Sequence, residues 1–288
     1  MSSEPGLKLP RRQGETQVGW ARWGVISRFV AHAVPVRKRP VLILSLPRSG
    51  SSWVGDMLGS AVDALYLREP LTQGDPRVTA RVVFDPFETP ELEPVVRMLA
   101  DKAFLGWPDF DDRIVRRPGQ WALWDRQGRR TVVKEVNPLG CRWFLEHYRP
   151  RVVFLLRHPA AVASSSLKQG WLGPTTSDWA DRGRDDGSII RRAWEALGGY
   201  PDVRPVSFES LCTDPLTVFK SLFDFAGLAW TEGVAERIEE YSRDSKSRIG
   251  AWRSEADPEA VSALRAGYDA ADLPWYRDDA EWAVTPSA

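Results

Sequence analysis

The chain has 288 residues, 43% hydrophobic and 27% charged, the balance of a soluble globular protein with room for one large α/β domain. Its 39 basic residues match its 39 acidic ones, so bulk charge gives no argument for nucleic acid as a partner. Two cysteines (Cys141, Cys212) and three histidines (His32, His147, His158) give neither a disulfide framework nor transition-metal ligand spacing, and no metal is expected.

Residues 1–39 read as a basic N-terminal extension, partly helical. Lys8, Arg11, Arg12, Arg22, Arg28, Arg37, Lys38 and Arg39 stand there against only Glu4 and Glu15. Trp20, Trp23, Ile26, Phe29, Val30 and Ala33 recur at helical spacing. One reading is a helix packed on the domain; the other is peripheral membrane contact through Trp and Arg. No run approaches the ~18 apolar residues of a membrane span, and no signal peptide is recognisable. A cytoplasmic, soluble protein is expected, with residues 40–288 as a single domain.

Val41–Leu46 reads as a buried strand, followed by a Pro47-Arg48-Ser49-Gly50-Ser51-Ser52 turn and a helix over about Trp53–Val62. A strand feeding a small-residue turn at a helix N-terminus grips anions through backbone N–H groups, the helix dipole and hydroxyls. Arg48 adds a planar fork of donors. This turn is not a Walker A loop, GxxxxGK(S/T), because the basic residue precedes the glycine and no lysine follows it. The bland alternative is an ordinary strand–turn–helix with a serine cap.

Ala64–Arg68 reads as a short strand leading into Glu69-Pro70. Residues 71–130 lack strand signals and hold one clear helix near Glu91–Phe104. Thr131–Lys134 is a strand, Leu139–Tyr148 a helix, and Val152–Leu156 a strand ending in Arg157, with a helix opening at Pro159 and carrying Ser164, Ser165 and Ser166. Residues 168–188 read as a loop or lid. Helices over Ser188–Gly198, Leu216–Phe225, Ala235–Tyr241 and Pro258–Gly267, with a strand at Val203–Phe208, complete the chain. Strands alternating with helices predict an α/β fold, a central parallel β-sheet with helices on both faces. Ligands then bind at the carboxyl ends of the strands, where both turns lie. Two anion grips suggest a ligand with two separated phosphates.

Pro47-Arg48-Ser49-Gly50-Ser51-Ser52-Trp53 with Arg157-His158-Pro159 and Ser165 resembles the signature of sulfotransferases, which use 3′-phosphoadenosine-5′-phosphosulfate (PAPS). Further matches are Ser207-Phe208-Glu209-Ser210-Leu211 with Asp214-Pro215, Arg248-Ile249-Gly250-Ala251-Trp252-Arg253, and Tyr66-Leu67-Arg68-Glu69-Pro70. The last is similar to Golgi-type carbohydrate members; the ordered set spans about residues 40–276. The resemblance implies a P-loop-like sulfotransferase fold and PAPS as co-substrate. It implies that Arg48, Ser49, Gly50, Ser51 and Ser52 hold the 5′-phosphosulfate. Arg157, Ser165 and Arg248 then serve the 3′-phosphate beside Gly250, with Trp53 on the adenine and Phe208 where many members have tyrosine. The cytosolic enzymes' Lys-Thr-His-Leu-Pro reads here Lys134-Glu135-Val136-Asn137-Pro138, so their histidine base is absent.

Sulfuryl transfer needs positioning and electrostatic stabilisation more than covalent chemistry. Arg48 is placed to neutralise the leaving oxygen and Lys134 to reach the sulfuryl group. Glu69 is the first choice of base for the acceptor hydroxyl, ahead of Glu135 and then His158, whose alternative role is packing at a helix start. The 14 tryptophans, Trp107, Trp121, Trp124, Trp171 and Trp179 among them, suggest a small-molecule or glycan acceptor, although core filling explains most of them. A P-loop nucleotide kinase would carry GK(S/T) and an acidic strand end. A non-catalytic relative binding nucleotide or acidic glycan would need the arginines but no acid.

Overall fold

The short apolar runs become five strands among the described residues: β1 (Val41–Ser45), β2 (Ala64–Arg68), β3 (Arg130–Glu135), β4 (Arg151–Leu156) and β5 (Val203–Ser207). The computed structural model describes residues 29–30, 32–108, 110–123 and 125–284; Trp20, Trp23 and Ile26 of the N-terminal stripe, and Trp124, lie outside them. The strands pair in parallel in the order β2-β3-β1-β4-β5. Parallel neighbours cannot be joined by tight hairpins, so the connections are helical crossovers. In chain order the helices are α1 (Ser51–Leu58), α2 (Pro76–Arg81), α3 (Glu93–Phe104), α4 (Cys141–Tyr148), α5 (Pro159–Lys168), α6 (Thr176–Leu197), α7 (Phe208–Thr213), α8 (Pro215–Ala226), α9 (Glu232–Ser242) and α10 (Pro258–Asp269).

Alternation along each strand divides the core in two. Leu42, Leu44, Leu65, Leu67, Val133 and Phe154 face one layer, with Val96 of α3, Trp143 of α4, Ile190 of α6 and Leu264 of α10. Val41, Ile43, Tyr66, Val132, Val153 and Leu155 face the other, with Val54 of α1, Phe219 of α8 and Ile238 of α9. Burial on both faces is why these strands are continuously apolar.

The stretch read as a loop over residues 168–188 is in its second half the start of α6. Thr175 caps it, accepting the Asp178 N–H at 3.2 Å while the Asp178 carboxylate accepts the Thr175 N–H at 3.0 Å. Gly183 and Gly187, which look like loop signals, are instead where α10 crosses α6. A Cβ on Gly183 would overlap the Leu264 carbonyl oxygen. Gly183→Ala is therefore expected to cost about 1–3 kcal/mol, the usual range for overpacking, read as a lower urea midpoint. α2 also escapes the hydrophobic pattern, although Asp75-Pro76 opens it with a side-chain cap and a proline in the first turn.

Candidate active site

The strand ends align along one edge: Arg68 pairs with Lys134, Leu44 with Glu135, Ser45 with Leu155, and Leu156 with Ser207. In the turn after β1, Arg48 and Gly50 both take left-handed backbone, with φ of 69° and 88°. Glycine is required at 50 for a second reason, since a Cβ there would lie 2.5 Å from Phe208 Cδ2. α1 then starts with no side-chain cap and no acidic residue in its first turn, so its own first turn puts no carboxylate at the positive end of its dipole. Ser49 and Ser51 are buried; Ser52 and Trp53 are half-buried. Trp53 sits edge-on to Phe208 and Phe219, at 5.8 and 5.2 Å between ring centres.

The second turn folds onto the first. The Arg157 guanidinium lies 4.4 Å from the Phe208 ring centre, and its Nη1 donates to the Arg48 carbonyl at 2.9 Å. Its Nε is buried without a partner, and burial lowers the pKa of the group. Arg48 Nε donates to Ser165 Oγ at 2.9 Å, so the two grips form one site. Trp171, 61% exposed, stands with its ring 5.8 Å from the Arg48 guanidinium. Trp121 and Trp179 are core residues. Arg248 ends a 3-10 turn over Lys246–Arg248 and, like Arg157, lies within electrostatic reach of Cys212. Gly250 opens the next 3-10 turn, Ala251–Ser254, next to Arg253.

Sequence patterns assign no role to Glu209 or Gln73, yet both brace the site. The Glu209 carboxylate accepts the His158 N–H at 3.0 Å and the Tyr276 hydroxyl at 2.8 Å, tying the start of α5 to the C-terminal segment. His158 caps α5, its Nδ1 accepting the Ala160 N–H at 3.2 Å, and its ring stacks on Trp252 at 4.8 Å. Burial pushes its pKa down to about 3, and the ring is packed among Trp252, Tyr276 and Trp282.

At the end of β2, Glu69 takes a φ of 51°, which turns its side chain back to β3, where the Lys134 ammonium donates to Oε1. Gln73 Nε2 donates to Oε2 at 2.7 Å. Burial alone would raise the Glu69 carboxyl, but Lys134 and Gln73 outweigh it and hold the group below the usual range. Lys134, 2% exposed, is lowered by the same burial and supported by Glu69. Glu135 points the other way. It is fully buried, accepting the Leu71 N–H and the Thr72 hydroxyl, both at 2.7 Å, and so anchors the turn that carries Glu69.

Burial pushes Glu135 up to about 7, against those two hydrogen bonds and from an ordinary value of 4.5. Between these pH values the folded chain keeps a proton that the unfolded chain loses, so this group's contribution to stability falls as pH rises, by about 3 kcal/mol in all. Glu135→Gln is expected to flatten that fall, measured by urea unfolding at pH 5 and pH 8.

Two strand–turn–helix turns joined at the carboxyl edge of a parallel sheet, beside a buried lysine–glutamate pair, define a P-loop-like α/β fold. A sequence model described as the sulfotransferase family matches residues 40–232. The chain belongs to the sulfotransferase family. Similar solved structures include the sulfotransferase domain of the Synechococcus PCC 7002 olefin synthase, 19% identical with TM-score 0.48, covering 84% of this chain and 98% of that one. Another is sulfotransferase STF9 from Mycobacterium avium, 16% identical with TM-score 0.46, covering 77% and 72%. A third is retinol dehydratase in complex with retinol and PAP, 15% identical with TM-score 0.48, covering 87% and 88%. Among curated proteins none matches.

Proposed function

We propose that this protein transfers a sulfuryl group from PAPS to a hydroxyl of a carbohydrate or glycosylated small molecule by in-line displacement. The observation that carries the donor reading is the buried, unpartnered Arg157 Nε, held beside the Arg48–Ser165 bond and an α1 N-terminus with neither a side-chain cap nor an acidic first turn. Buried donors that the protein leaves unmatched fit an anionic ligand. Arg48, Ser49, Gly50, Ser51 and Ser52 would hold the 5′ end. Arg157, Ser165 and Arg248, with Gly250, would hold the 3′-phosphate, and Trp53 and Phe208 would pack the base. PAPS supplies the sulfuryl group when bound; the chain's part is to bind, orient and move the acceptor proton.

Glu69, kept ionised by Lys134, would be the acceptor's base, and Lys134 would share its charge with the transferring group. Trp171 offers an exposed aromatic face beside Arg48 for a sugar ring. 3′,5′-Adenosine bisphosphate (PAP) at 100 times its Kd is expected to raise the melting temperature by about 5–10 °C, with ATP giving little. Equal shifts from both would remove the two-phosphate reading. Transfer of radiolabelled sulfate from PAPS to an acceptor library tests the reaction itself.

A further inference from the structure

A second polar cluster lies between α1 and the end of β2, outside the donor grips. Tyr66 and Arg68 share the strand face that α1 covers, and three of the polar atoms gathered there are buried without a partner: Tyr66 Oη, Asp56 Oδ1 and Arg68 Nε. Tyr66 is wholly buried, with its hydroxyl against Gly55 of α1. Asp56 lies within electrostatic reach of Arg117, Arg68, Arg116 and Lys134. Lys134 is already matched by Glu69, and Arg117 has contacts of its own, including a 3.4 Å bond to the Asp56 carbonyl.

Arg68 and Arg116 form no ion pair among the described residues, and Asp56, which lies within electrostatic reach of both, is likewise in no ion pair there. Two unpaired guanidiniums against one carboxylate leave a surplus positive charge. Arg68 precedes Glu69 in the chain and acts on its charge, and Arg116 is exposed. A cluster serving only the fold would have closed its ion pairs and satisfied its buried polar atoms. Unsatisfied, net-positive side chains with Arg116 open to solvent fit an anion presented from solvent.

We propose that the acceptor is itself an acid, carrying a carboxylate or phosphate close to the hydroxyl that is sulfated, and that Arg68 and Arg116 bind that group. This rests on the sulfotransferase reading above, with Glu69 as base. The anion would fix the acceptor in two places, so the hydroxyl meets Glu69 in one orientation. A neutral sugar of the same shape would leave both guanidiniums unmatched and bind more weakly.

The test uses the full chain with PAP saturating the donor grips, and glucose, glucuronate and glucose 6-phosphate as probes. At roughly ten times Kd, glucuronate or glucose 6-phosphate is expected to raise the melting temperature by a further 3–5 °C or about that, with glucose giving none. The two acids separate a carboxylate source from a phosphate source. In the Arg68→Gln/Arg116→Gln double variant this further rise is expected to vanish while the PAP shift persists, which shows that the variant is folded. Arg113→Gln, which removes an exposed arginine paired with Asp111, should keep it. Equal shifts from acid and neutral sugar, no shift from either acid, or a shift that survives in the double variant would each overturn the inference. Loss of the PAP shift in the unmodified chain would instead overturn the donor reading.

Discussion

Replacing Glu69 by Gln is expected to lower sulfuryl transfer about 10²–10⁴-fold, the range for removing a general base, while the PAP-induced rise in melting temperature stays. The amide keeps the shape of the side chain and can still accept from Lys134 Nζ, so little of the fold should change. What disappears is an acceptor for the hydroxyl proton. Because Lys134 and Gln73 hold the Glu69 carboxyl below its usual range, the wild-type rate should stay level as pH falls through the ordinary carboxylate range. It should decline only below that. A rate profile that falls from neutral pH downward would assign the proton to another group. Near-normal turnover in Glu69→Gln would remove this residue from the role.

Arg48→Ala should be the most damaging change on the donor side. Arg48 holds together three parts of the site: its Nε bonds Ser165, its carbonyl accepts from Arg157, and its guanidinium stands beside Trp171. Loss of a preorganised donor at a developing charge typically costs about 10²–10³ in rate. Donor affinity should fall as well, since Ser165 loses the arginine that orients it. Arg48→Lys should not restore the rate, because an ammonium cannot reproduce the planar fork. Measuring kcat and KM for PAPS in both variants separates the effects. A loss confined to KM would make Arg48 a ground-state binder only.

Much of this was legible in the residues. Val41–Leu46, Thr131–Lys134 and Val152–Leu156 are apolar, β-branched and short, and they are strands buried on both faces. The Arg-Ser-Gly-Ser-Ser turn needs a left-handed residue beside a helix start, and glycine supplies it at 50. The residues around 168–188 misled because glycine and aspartate are loop formers by local preference. In α6 they serve a helix crossing in which α10 comes too close for a Cβ, a fact carried by the partner helix alone.

The sequence by itself determined the sheet's composition, the two strand–turn–helix turns and the family, because each depends on spacing within a few residues of chain. Only the tertiary structure decided how those pieces act on one another. It turned Glu69 back to Lys134 through a left-handed backbone, buried Glu135 away from the edge, and packed His158 among aromatics where burial lowers its pKa. It also joined Arg157 to Arg48 across 109 residues. Burial and opposing charge set the protonation of each candidate, and both come from elements distant in the chain.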